Sequence, residues 1–179
     1  MRTPILAVAF AWLTTLFAPL ASATPQAGTA VPTGVYKVAI DRSVSLADAA
    51  DSMRLRANAL NLKLVAELPL SKQVEAMTDH AQRTITIFQF CDAVTAKDLI
   101  DLNLDFSVYM PCRIALIEDA SGQGWLVMMD VNVDAVANEK RLPDALKSRI
   151  QDVRKSLVSI MQAGARGELR HLDASLRAY

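Results

Sequence analysis

The stretch from residue 83 to residue 131 restricts the possible folds of this chain more than any other. Residues 84–90 (TITIFQF) are β-branched or aromatic almost throughout, and apolar on both faces from Ile85 onwards. That pattern predicts an interior strand. Pro111 introduces a second strand over residues 112–118, and a third follows over residues 125–131. Between them stands Asp119-Ala120-Ser121-Gly122-Gln123-Gly124, a run suited to a hairpin, so the two strands should pair antiparallel. The same stretch holds both cysteines, Cys91 and Cys112.

The flanking sequence interleaves helices with strands. Residues 35–40 alternate as a first strand, and Ser45 can cap a helix in which Leu46, Ala50, Met53, Ala57 and Leu60 form one apolar stripe. KLVAEL reads as a short strand ended by Pro69, and Ser71 as the cap of a short helix with Val74 and Met77 facing inward. Thr95 can cap a helix to Leu102, whereas residues 104–110 fit either strand or loop. Pro143 and Asp144 open the longest helix, with Leu146, Ile150, Val153, Leu157 and Ile160 at helical spacing and Gly164 as its C-cap. The expected product is an α/β domain of the α+β type. It is a two-layer sandwich in which helices cover one face of a mixed β-sheet.

The first residues read as an export signal. Arg2 precedes an uncharged apolar run over residues 5–20, and Ala21-Ser22-Ala23 offers a signal-peptidase site. An uncleaved membrane anchor is the alternative, but the run is short for a span and ends near Pro19. The expected organisation is a signal peptide over 1–23, a flexible leader over 24–33 and one domain over 34–164. An amphipathic tail helix over 165–179 follows, lined by Leu169, Leu172, Leu176 and Tyr179. After cleavage no membrane contact is expected, and the periplasm is the expected location. Without residues 1–23 the chain has 18 basic and 19 acidic residues, a near balance that offers no footprint for nucleic acid.

Two cysteines in an exported chain allow one intramolecular pair. Cys91 ends one strand and Cys112 begins the next, so neighbouring strands would bring both to one edge of the sheet. The first reading is a structural disulfide, stabilising by roughly 3 kcal/mol through loop closure. The second is a redox-active or sulfur-carrying pair, with Arg113 lowering a thiol pKa. The third is a soft-metal site for Cu or Zn built from Cys91, Cys112, Met110 and His80 or His171. No local spacing gathers those ligands, and Met110, Met128 and Met129 read more simply as core filler. Arg113, Glu118 and Asp119 form a charged patch beside the hairpin, either a solvated edge or a contact for an anion or partner. No phosphate loop, nucleophile elbow, zincin or haem-attachment motif is present, so no catalytic residue is assigned.

The block formed by FQFCDA, a helical insert and MPCRIALIEDASGQGW resembles the DUF-302 family. Phe90, Asp92, Pro111, Arg113, Glu118, Asp119, Gly122 and Trp125 stand at the family's positions, and the likeness extends over roughly residues 34–131. The resemblance implies a small α/β domain that often forms homodimers, and it implies no established activity. The cysteines depart from the general pattern and resemble an exported, cysteine-bearing branch. The function expected is that of a periplasmic binding or interaction domain, engaging a second copy or a periplasmic protein. Thiol redox or sulfur transfer is the first alternative and soft-metal binding the second.

Overall fold

The computed structural model describes residues 33–169. The expected signal peptide, nearly all of the leader, most of the tail and His171 lie outside those residues. In chain order the elements are β1 (Thr33–Ala39), α1 (Leu46–Ala59), β2 (Lys63–Leu68), α2 (Leu70–Thr78), β3 (Ile85–Cys91), α3 (Ala93–Leu102), a 3-10 helix (Leu104–Tyr109), β4 (Cys112–Glu118), β5 (Gly124–Val131), α4 (Val133–Lys140) and α5 (Asp144–Arg166).

The five strands form one sheet in the order β1-β5-β4-β3-β2. The two-layer α+β architecture is as expected, but the sheet is antiparallel at every pairing rather than mixed. The reason lies in the connections. A helix inserted between adjacent antiparallel strands leaves and re-enters at the same end of the sheet, so α2 and α3 cap the two ends instead of crossing a face. Only α1 crosses, carrying the chain from one edge strand to the other. The β4–β5 hairpin turns where expected, with Glu118 opposite Gly124.

α1 and α5 cover one face. Phe88 and Phe90 of β3, Ile114 and Leu116 of β4, and Leu126 and Met128 of β5 all point into this layer and are buried. At about 25 cal/mol per Å² of apolar surface, each such side chain contributes roughly 1.5–3 kcal/mol. Ser45 caps α1 as expected, accepting from the Asp48 amide at 3.0 Å. Small residues let the helices approach: a Cβ at Gly164 would lie 2.6 Å from Met53 Cγ and 3.1 Å from the Ala49 carbonyl oxygen. Gly164 is therefore a packing residue inside α5. The C-cap is Gly167, at φ 61° in the left-handed region.

Among the described residues no helix lies over the opposite face. Strand alternation sends Ile85, Ile87 and Cys91 there, so β3 is interior to the sheet but covered on one side only. Val35 (74% exposed) and Met129 (43%) lie on the same open face. Two further expectations change. Pro69 rather than Ser71 stands at the α2 N-cap, since the buried Ser71 hydroxyl is spent on the Ile85 amide at 3.3 Å. Met77 of α2 faces solvent.

Candidate functional site

β3, β4 and β5 reach the same end of the sheet at Cys91, Cys112 and Val131. The chain leaves β3 and enters β4 at this end, and α3 with its 3-10 helix stays there as a cap. Asp92, not Thr95, caps α3: one carboxylate oxygen accepts from the Thr95 amide at 3.1 Å and the other from the Thr95 hydroxyl at 2.8 Å. These bonds hold the Asp92 pKa below the usual carboxylate range, although burial opposes them. Arg149 of α5 locks the cap in place, donating to the Thr95 hydroxyl at 3.1 Å and to Asp98 at 2.6 Å.

The cap has its own small core of Leu99, Phe106 and Val136, with Met110, Val131 and Ile150 packed around it. The N-terminal half of α5 belongs to this second core and its C-terminal half to the first. Where the two meet lies a cavity of about 600 Å³. The cap and α5 supply most of its apolar wall. Ile87, Ala115 and Val127 also line it, and all three project from the uncovered face of the sheet. The cavity thus reaches that face, while Cys112 and Met128 line it from the helix-covered side.

Both cysteines line this cavity. The strands are neighbours, the condition on which the sequence reading rested, and Cys91 and Cys112 stand at one end of them, unbonded. The register explains it. Cys112 stands opposite Phe90, so its side chain joins the helix-covered layer, while alternation turns Cys91 to the other side. Side chains on opposite faces of the sheet point apart, the arrangement least suited to a bridge. Burial pushes the Cys112 thiol up to about 11, and nearby Cys91 adds to the rise. Burial also raises Cys91, helped by the Asp92 charge. The pKa lowering expected from Arg113 is only a minor opposing influence on Cys112.

Other expected site residues divide between the two ends of the sheet. Met110 and Arg113 line the cavity with the cysteines. His80 follows α2 at the opposite end, six or more strand positions from Cys91, so it cannot complete a ligand set with the thiols. Among the described residues no three His, Cys, Asp or Glu side chains gather as a metal site would require. Arg113 and Glu118 stand at opposite ends of β4, so the expected charged patch is two separate places. Asp119 closes the hairpin, accepting from the Ser121 amide at 2.8 Å and from the Trp125 indole nitrogen at 2.7 Å. These and neighbouring bonds hold its pKa well below the usual carboxylate range.

Two features of the site were absent from the sequence reading. α4 was not foreseen, although Asn132 is an available cap and accepts from the Ala135 amide at 2.9 Å. Nor was the fork from Arg154 of α5, which lines the cavity, to Asp130 of β5, at 2.7 and 2.9 Å. Asp130 is held below the usual carboxylate range by that guanidinium.

The chain is similar in fold to an uncharacterised conserved DUF302 protein from Bacillus stearothermophilus, known from a crystal structure. The TM-score is 0.58 at 14% identity, over 72% of this chain and 96% of that one. No curated protein matches the chain. The family model described as "Domain of unknown function DUF302" matches residues 36–164, so the likeness continues past residue 131 through most of α5. This match covers well over half of the chain, and the protein belongs to the DUF302 family.

Proposed function

We propose that this protein is an exported ligand-binding domain whose cavity takes one small, largely apolar molecule. The observation that carries the reading is the cavity at the cysteine-bearing end of the sheet. Its volume of about 600 Å³ falls within the range typical of small-molecule sites. Apolar walls with a few convergent polar groups, here Asp92, Thr95 and Arg113, are the usual composition of such sites. The export signal expected over residues 1–23 supports a periplasmic location, and the cysteines support an exported branch of the family. With both thiols raised by burial, they stay protonated near neutral pH and act as soft, weakly polar wall groups.

The test is saturable binding of N-phenyl-1-naphthylamine, a neutral fluorescent probe, with and without Ala115→Trp. Ala115 lies on the open strand face and lines the cavity, so a large ring there fills the space without entering the main core. One-site binding that the substitution removes supports the proposal; a wild-type protein that does not bind overturns it. A second reading, sulfur chemistry on the ligand, is favoured by one observation: both cysteines line the same cavity. Homodimer formation, expected from family membership, is checked by sedimentation velocity.

A further inference from the structure

The charged residues of the sheet are sorted by face. Glu67, Glu118 and Asp130 lie on the helix-covered side, where Glu67 pairs with Arg54 of α1 and Asp130 with Arg154 of α5. Lys37, Lys63 and Arg113 lie on the open side, by the registers Lys37 opposite Val127, Lys63 opposite Cys91 and Arg113 opposite Gln89. Among the described strand residues the open face therefore carries three cations and no acid. Lys37 sits over the Trp125 ring at 3.6 Å. Arg113 is exposed, makes no hydrogen bond or ion pair with another described residue, and stands on the cavity lining where the cavity meets this face.

We infer that the ligand is an amphiphile with an anionic head, a carboxylate or sulfonate. Its apolar body fills the cavity and its head is held at the mouth by the Arg113 guanidinium. This rests on the cavity being a ligand site, as proposed above. An unpaired guanidinium beside an apolar cavity offers two parallel donors to such a head. Lys37 and Lys63 add a positive field on the face from which the ligand enters. A second copy of the chain suits this face poorly, because a two-fold pairing would set cations against cations.

The test compares N-phenyl-1-naphthylamine with 1-anilinonaphthalene-8-sulfonate, which differs by the sulfonate, in titrations of the purified chain. Because the head stays partly in water, the anionic probe should bind roughly three- to tenfold more tightly. Arg113→Gln should abolish that preference by lowering the anionic probe's affinity more than the neutral probe's, and Arg113→Lys should restore part of it. Dodecanoate should displace either probe at lower concentration than dodecanol. Equal binding of both probes, or a preference that survives Arg113→Gln, overturns the anionic head but leaves the cavity reading standing. Failure of both probes overturns the two together. Binding only to vesicles containing phosphatidylglycerol, with no response to free dodecanoate, overturns the single-molecule ligand.

Discussion

Cys112 offers the sharpest test of how the cavity wall is built. Its thiol is raised to about 11, chiefly by burial. At pH 8 the thiolate fraction is then roughly one in a thousand, against about a quarter for an unperturbed thiol of pKa about 8.5. Ionisation alone thus slows alkylation roughly two-hundredfold. A more basic thiolate is a better nucleophile, and a Brønsted slope of about 0.4–0.5 returns roughly tenfold. The net expectation is a reaction about twentyfold slower than that of a free cysteine, and slower still for steric shielding. The assay is iodoacetamide alkylation of the wild-type protein, followed by peptide mass at Cys112 between pH 7 and pH 10.5. The rate should climb nearly tenfold per pH unit across the whole range. A rate at pH 8 matching a free cysteine, or a plateau beginning near pH 8, would refute the burial argument. It would also move Cys112 towards the redox reading.

Three further outcomes follow from the packing and the charges. Gly164→Ala should destabilise by about 1–2 kcal/mol in urea unfolding, because its Cβ overlaps two fully buried side chains by more than the helix-propensity gain of about 1 kcal/mol offsets. A more stable variant would show that α1 and α5 are not in close contact there. Asp119 and Asp130 both have folded pKa values below the ordinary range, so their stabilisation is present above about pH 4 and disappears as pH falls through the folded values. Asp119→Asn should therefore lower the melting temperature at pH 7 while flattening the loss of stability between pH 5 and pH 2; an unchanged acid profile would contradict this. Asp92→Ala should cost about 0.5–2 kcal/mol through loss of the α3 cap. It should also weaken binding of the neutral probe by loosening the cavity roof, and unchanged affinity would separate the cap from the site.

How much of this could be read from the sequence depends on how local the signal is. Strand alternation and the Gly122 turn are local, so β3, β4, β5 and their hairpin were legible, as was the Ser45 cap of α1. α4 was missed because its apolar residues, Val133, Val136 and Ala137, are few and follow a strand with no break but Asn132. Gly164 read as a helix stop because its role depends on Met53 and Leu126, more than thirty residues away in sequence. The cysteine pair was half legible. The positions of the cysteines at strand ends were local, but the adjacency of the strands was only a condition, and the register opposing Cys112 to Phe90, which decides the faces, is a tertiary property. Nothing local marks the cavity, because α3, α5 and the strand ends each supply only part of its wall.

The cysteine-bearing end of the sheet is proposed to hold a small molecule. The most direct test is a fluorescence titration of the protein with N-phenyl-1-naphthylamine, in parallel with Ala115→Trp. A single saturable site in the wild type, lost in a variant that melts at the same temperature, is the predicted result. A linear, unsaturable signal identical in both proteins would contradict the claim.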